Sequence, residues 1–177
     1  MLEEIPRWYA LKVFFNKTSQ LKSKIKVQDV ETFIPMQTVE RYDSTGLHYE
    51  EKPLVNSLMF IHCRESWLLA FRREYYQDFM YYRRAGSHLP GPINDDEMRM
   101  FMFVTSVDNG KNLRYFGEDS SGFRMGQKVR VIGGIYKGAE GYIKRIKKDR
   151  KLIVSISGVA VVAVSYIPQE FLEKIED

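Results

Sequence analysis

The stretch KVRVIGGIYKGAEGYIKRI, residues 128–146, carries four glycines between two short runs of β-type residues. Val129 and Val131 alternate with basic residues, which is the period of a half-buried strand. Apolar and basic residues resume directly after Gly141. Paired glycines supply the positive φ angles of a tight turn, and single glycines suit bulges or a close approach of two backbones. The stretch therefore predicts a hairpin of a small, strongly bent β-barrel.

The composition is that of a globular protein. The chain has 177 residues, 44% of them hydrophobic and 28% charged, so it can bury a core. Its single cysteine, Cys63, excludes an internal disulfide framework and fits a reducing compartment. The first residues contain no apolar run of signal-peptide length, and the longest apolar run, residues 159–164, is too short to cross a bilayer. We therefore expect a soluble, cytoplasmic protein without membrane contact.

The N-terminal region alternates strand and helix patterns. Strands are predicted over residues 7–15, 31–42, 47–52, 58–63 and 79–82, and helices near residues 17–26, 65–76 and 94–107. A turn is expected at residues 43–46. This order predicts an α+β domain over residues 1–108, in which helices pack against an antiparallel sheet.

A change of composition divides the chain. Residues 109–122 are rich in glycine, serine and charge, which predicts a flexible linker. Beyond it, several short strand patterns at close spacing predict a small β-barrel domain over residues 123–177. A helical turn near residues 169–175 is expected to end the chain.

The sequence contains none of the common catalytic or metal-binding motifs. It has no H-x-x-x-H or C-x-x-C spacing, no G-x-S-x-G and no phosphate-binding glycine loop. His62 and Cys63 are neighbours in a predicted strand, so their side chains point to opposite faces and do not readily share a metal. A Cys63 nucleophile paired with His62 or His88 remains the enzymatic alternative. We expect no enzyme, no catalytic residue, no metal and no cofactor.

Residues 144–151 are the most basic segment, with six positive side chains against one negative. The segment falls at the predicted turn between two barrel strands, so the charges are expected to lie together at a tip. Either the turn is only solubilising, or it contacts RNA or an acidic protein face. The candidate nucleic-acid-binding residues here are Lys144, Arg145, Lys147, Lys148, Arg150 and Lys151.

Residues 126–146, which include the opening stretch, resemble the KOW motif. Its G-x-x-V-R-V, turn and G-x-x-G pattern falls on Gly126, Val129, Arg130, Val131, Gly138 and Gly141. The phrases RWYALKVFFNK, ETFIPM and PLVNSLMFIHC are similar to the N-terminal domain of the NusG family, and both halves occur in the family's order. The resemblance implies an NGN-type domain followed by an SH3-like KOW barrel. It also implies a factor in transcription elongation and antitermination.

Two departures from ordinary NusG suggest a specialised paralogue. Residues 156–164 read ISGVAVVAV where the family has I-F-G-R-x-T-P-V-E-L, which leaves open whether the KOW domain binds Rho, a ribosomal protein or neither. The stretch FMYYRRAGSHLPGPINDDEM resembles UpxY-type antiterminators of capsular polysaccharide operons and, more distantly, RfaH. This resemblance implies action at specific operons. Whether the KOW domain can switch its fold stays open.

The resemblance also implies a docking surface. In this family the N-terminal domain binds the clamp helices of the largest RNA polymerase subunit through an apolar depression. Leu58 and Phe60 are two apart in a strand, so they share one face, which we expect to be exposed in the free protein, while Met59 points to the core. The polymerase-binding residues implied by the family match are Tyr9, Leu54, Val55, Leu58 and Phe60.

A second basic group lies in the N-terminal domain. The family match and the charges together imply contact with non-template DNA, and nascent RNA is a further implied partner, for Lys17, Lys22, Lys24, Lys26, Arg72 and Arg73. The alternative from a different class is a KOW-type RNA-binding or ribosome-associated module without polymerase contact.

Overall fold

The computed structural model describes residues 4–25, 29–118, 126–165 and 167–176. Their mixed α/β structure with antiparallel sheets agrees with the coarse fold class, whereas the SH3-like barrel stays a prediction. In chain order the elements are β1 (Arg7–Val13), α1 (Thr18–Lys24), β2 (Glu31–Phe33), β3 (Met36–Asp43), β4 (Gly46–Pro53), β5 (Leu58–Cys63), α2 (Glu65–Glu74), β6 (Phe79–Tyr81), α3 (Asp95–Ser106), β7 (Leu113–Tyr115), β8 (Gln127–Val131), β9 (Glu140–Ile146), β10 (Asp149–Ile156), β11 (Ala160–Val164) and β12 (Leu172–Lys174). Within the described ranges, no helix has the length and apolar character needed to span a membrane.

The chain forms two compact units. The first comprises residues 1–35 and 55–95, and the second residues 36–54 and 96–177. The predicted domain boundaries at residues 108 and 123 stay a prediction.

The first unit is built on a four-stranded antiparallel sheet in the order β2-β5-β1-β6. Its core lies on one face, where Leu11 of β1 is opposite Met59 of β5. Leu21 of α1 and Leu68 and Phe71 of α2 belong to the same core cluster. Leu68 and Phe71 are three residues apart, so they form one apolar stripe along α2. Burying each such side chain contributes about 1.5–3 kcal/mol to stability, which makes this core the main support of the unit.

Strand β1 is shorter than the strand predicted over residues 7–15. It ends at Val13, and the chain then forms a single 3₁₀ turn at Phe14–Asn16. Phe15 and Asn16 both have φ of 56°, in the left-handed region. Asn adopts this region readily, whereas a bulky residue such as Phe does so rarely. The alternation of apolar residues therefore continued beyond the true end of the strand.

The second unit contains a separate two-stranded sheet made of β3 and β4. Their antiparallel register runs from Met36 opposite Pro53 to Asp43 opposite Gly46, which confirms the predicted turn. Asp43 Oδ1 accepts hydrogen bonds from the Thr45 backbone N–H at 2.7 Å and from Thr45 Oγ1 at 2.6 Å. No side chain of these two strands is fully buried.

A six-stranded antiparallel sheet, in the order β12-β8-β9-β10-β11-β7, forms the C-terminal part of the second unit. Strands β8 and β9 pair as the hairpin predicted from the opening stretch. Strand β11 is buried along its whole length, as expected for a near-continuous apolar run. The sheet is consistent with the small β domain predicted from the sequence.

Two glycines of the opening stretch have separate structural reasons. Gly134 lies in the turn between β8 and β9 with φ of 75°, which few other residues adopt. Gly141 lies in β9, and a Cβ atom there would be 2.2 Å from the backbone oxygen of Ile153. Strands β9 and β10 can therefore approach this closely only because residue 141 is glycine.

Two C-terminal predictions differ from the structure in detail. Part of the predicted linker is structured, since Leu113–Tyr115 form β7 and pair with β11. The predicted helical turn near the end is a 3₁₀ turn, Gln169–Phe171, followed by β12. Both short strands occur at the edges of the sheet, where pairing with a neighbour decides the conformation more than local propensity does.

Candidate functional site

Register separates the predicted polymerase-binding residues onto two faces of the first sheet. Tyr9 is opposite Ile61 in the β1–β5 pairing, and both belong to the core cluster under the helices. Ala10 is opposite Phe60, so Ala10, Phe60 and Leu58 point to the other face. The structure therefore does not bring Tyr9 together with Leu58 and Phe60.

The expectation that Leu58 and Phe60 are exposed is wrong. Leu58 is 2% exposed and Phe60 is fully buried, with the Phe33 ring 6.2 Å from the Phe60 ring between centroids. The alternation was predicted correctly, because Met59 does point into the helix-covered core. What differs is that the second face is covered as well. A sequence signal existed, since the near-continuous apolar run of β5 is typical of a strand buried on both faces.

Leu54 and Val55 lie in the turn that leads into β5, and both are half-buried. The Leu58 backbone N–H donates to the Val55 carbonyl oxygen at 3.2 Å, which closes the turn. Asn56, at the tip, is exposed. Of the five predicted residues, these two thus remain the accessible apolar ones.

Tyr9 is part of a polar cluster at the edge of the core. Its hydroxyl lies 3.5 Å from Glu65 Oε2, and Glu65 is also paired with Arg84. Burial raises the pKa of Tyr9 to about 12, and the Glu65 carboxylate acts in the same direction. The neutral phenol is therefore the form that this site holds.

The basic residues of α1 and α2 meet at one end of the first sheet. Lys24 Nζ donates to Asp78 Oδ2 at 2.7 Å, and the Asp78 carbonyl accepts the Phe14 backbone N–H at 2.8 Å. Arg72 lies with its guanidinium carbon 5.7 Å from the Phe79 ring centroid. We call this region the basic end, and it is defined by Lys17, Lys22, Lys24, Arg72 and Arg73. Lys26, also predicted to bind nucleic acid, lies outside the described residues.

Two aromatic residues at the basic end were not identified from the sequence. Phe15 is 81% exposed and Tyr76 is 60% exposed. Phe15 was predicted to lie within a strand, where its exposure could not be foreseen, and only the following Asn16 hinted at a turn. Tyr76 follows α2 and was assigned to the helix.

The second predicted basic site is a hairpin tip, formed by β9, β10 and the turn between them. Arg145 lies opposite Arg150, and Lys144 lies opposite Lys151. The turn residue Lys147 has φ of 57°. Like charges directly opposite on adjacent strands are destabilising. We call residues 144–151 the basic tip.

The structure bears on metal binding and on the chemistry of Cys63. The described residues contain no group of three His, Cys, Asp or Glu residues arranged to hold a metal ion. Cys63 is buried, and burial raises the pKa of its thiol to about 12. Because the thiolate is the nucleophilic form, this thiol is a poor nucleophile near neutral pH.

Comparisons with known proteins relate more than half of the chain to one protein family. A family model described as "Transcription termination factor nusG" matches residues 6–102. Among solved structures, the chain is similar to one described as "Domain interaction in Thermotoga maritima NusG", at 19% sequence identity. That match covers 97% of this chain and 98% of the other, with a TM-score of 0.48. Among curated proteins no match was found.

Proposed function

Because the chain belongs to the NusG family of transcription factors, we propose that it regulates transcription elongation by binding RNA polymerase. The partner is the pair of clamp helices on the largest polymerase subunit, and the result is suppression of pausing or termination. The observation that carries this proposal is the family match over residues 6–102, which includes the whole first sheet and the first two thirds of α3. Such factors are not enzymes, in keeping with the unreactive setting of Cys63.

The docking surface proposed for polymerase is the apolar turn and strand formed by Leu54, Val55, Leu58 and Phe60. Leu54 and Val55 are accessible enough to make a first contact. Leu58 and Phe60 are buried, so they contribute only if a rearrangement exposes them. Tyr9 supports the surface from the opposite face rather than forming part of it.

The basic end and the basic tip are the proposed nucleic-acid contacts. The opposed pairs of the tip support this proposal, because the fold gains nothing from facing Arg145 with Arg150. A polyanion would relieve the repulsion and release counterions. Non-template DNA or nascent RNA is the proposed ligand.

The C-terminal sheet is proposed to be an SH3-like KOW barrel with its own protein partner. Its β11 region lacks the I-F-G-R-x-T-P-V-E-L phrase of ordinary NusG and consists mainly of buried Ala and Val. This departure supports a specialised paralogue of the UpxY type, acting at particular operons such as those for polysaccharide biosynthesis.

Binding to purified RNA polymerase tests the proposal directly. Val55→Asp should weaken binding by about fivefold or more, since truncating an interface anchor costs about 1 kcal/mol or more. The matched control is Ile135→Asp, which alters an apolar side chain that is 63% exposed in the β8–β9 turn of the second unit. It should bind polymerase like the native chain.

Two results would contradict the proposal. One is that a folded Val55→Asp variant binds polymerase with full affinity, because the proposed docking surface would then not be used. The other is a native chain that binds RNA or ribosomes but not polymerase, which favours the KOW-type module instead.

A further inference from the structure

Two exposed aromatic side chains stand at the basic end, Phe15 and Tyr76. The hydrogen bond from the Phe14 backbone N–H to the Asp78 carbonyl, 2.8 Å long, joins the turn that carries Phe15 to the turn that carries Tyr76. Tyr76 is two residues before Asp78, so both rings belong to the same end of the sheet. Neither ring gains the burial that normally rewards an aromatic residue.

The backbone at Phe15 makes this exposure harder to explain by stability. Its φ of 56° is unfavourable for a bulky side chain, and Asn or Gly would form the same turn with less strain. Strained residues of this kind are concentrated at functional sites. The strained turn holds the Phe15 ring in solvent rather than folding it onto the core.

Several cations lie near the two rings, together with the carboxylates of Glu74 and Asp78, of which Asp78 is paired with Lys24. Lys17 Nζ lies 5.7 Å from the centroid of the Phe15 ring, and Lys22 is exposed in the helix that follows. Arg72 and Arg73 lie in the last turn of α2, four and three residues before Tyr76. An apolar protein partner requires a contiguous apolar patch. Exposed rings beside cations instead match the way proteins bind unpaired nucleic acid, with bases stacked on aromatics and phosphates held by cations.

We propose that Phe15 and Tyr76 are base-stacking residues, so that the basic end binds single-stranded nucleic acid through its unpaired bases as well as its phosphates. This inference rests on the proposed nucleic-acid role of the basic end, and it adds a contribution that salt does not screen. It predicts a preference for single strands over duplexes, because the bases of a duplex are already stacked on each other. The chemistry is shared by DNA and RNA, and the experiment separates the two.

The test measures fluorescence anisotropy of the full-length chain with labelled single-stranded DNA, single-stranded RNA and duplex DNA of equal length. Phe15→Ala should weaken single-strand binding about tenfold, while Phe15→Tyr keeps native affinity. The slope of affinity against salt should be unchanged in Phe15→Ala, because that slope counts phosphate contacts. Lys17→Ala with Lys22→Ala should flatten it. Tyr42→Ala, which removes a ring that is 77% exposed in the two-stranded sheet, is the matched control.

An oligonucleotide with abasic sites throughout separates stacking from a structural role of Phe15. It should bind the native chain and Phe15→Ala equally, because it offers phosphates without bases. Equal losses on the base-containing and abasic strands would overturn the stacking role, and so would native affinity of Phe15→Ala for the base-containing strand. If the lysine variant alone loses affinity, the charge proposal survives and stacking fails. If the native chain binds no single strand, both the charge proposal and the stacking proposal fail. The proposed polymerase binding is tested by its own assay and is not affected by this result.

Discussion

Strand β5 and the basic tip are both short segments with a proposed binding role, but their side chains lie in opposite environments. In β5 every residue except His62 is buried, whereas most of the charged residues around the β9–β10 turn are exposed. A residue of β5 that contacts a partner must also hold the fold. A residue of the tip carries no such second task. Substitutions in β5 therefore mix lost binding with a large loss of stability, whereas substitutions at the tip should change stability by no more than about 1 kcal/mol.

The largest expected effect is the loss of stability when a charge is placed on either face of β5. Leu58→Asp and Met59→Asp should both unfold the first unit, because each places an unpaired carboxylate where the native side chain is at most 2% exposed. We expect a loss of several kcal/mol, beyond the 2–5 kcal/mol typical of Leu→Ala or Met→Ala in a core. Circular dichroism during urea unfolding measures it.

Lys148→Asp at the exposed tip is the control, and it should leave the unfolding midpoint within the error of the measurement. If Leu58→Asp folds with native stability while Met59→Asp does not, the face of Leu58 is open in solution. The two regions would then differ less than the structure indicates.

The same contrast explains what the sequence could predict. Period-two alternation correctly assigned Met59 to the core, and the glycine pattern correctly predicted the β8–β9 hairpin. Neither pattern states what packs on the second face of a sheet, so the burial of Leu58 was missed. Phe15 was missed because a left-handed backbone at a bulky residue has no local sequence signature. Strand β7 was missed because three residues at a sheet edge owe their conformation to the partner strand.

An intermediate effect is the pH dependence of stability, which tests whether water reaches Tyr9 and Cys63 in the core of the first unit. Burial raises the pKa of Tyr9 from 10.0 to about 12, and that of Cys63 from 9.0 to about 12. Both groups keep their protons in the folded chain above the pH at which the unfolded chain loses them. Their contribution to stability is therefore full below about pH 9 and is lost progressively as the pH rises towards about 12.

The measurement is the urea midpoint of the native chain and of Tyr9→Phe with Cys63→Ala, at pH 8 and pH 10.5. The native chain should lose more stability between the two values than the double variant does. Equal losses would mean that these groups titrate normally and that the core admits water. Charged residues of the tip are present in both proteins, so their titration cancels in the comparison.

The smallest expected effect concerns a substitution at the tip that should raise stability while it weakens binding. Arg150 lies directly opposite Arg145, and opposed like charges destabilise a strand pair. Arg150→Glu replaces repulsion with attraction and should stabilise the C-terminal sheet by about 0.2–1 kcal/mol, read as a higher thermal midpoint. The same change should weaken binding of single-stranded nucleic acid and flatten its salt dependence, because a phosphate contact is lost.

Arg150→Lys, which keeps the charge, should leave both stability and binding near native values. A variant that is both more stable and equally able to bind would assign the opposed arginines no role in nucleic-acid binding, and the tip would then be a solubilising turn. If Arg150→Glu is more stable but binds nucleic acid less well, the repulsion between Arg145 and Arg150 serves ligand binding rather than the fold.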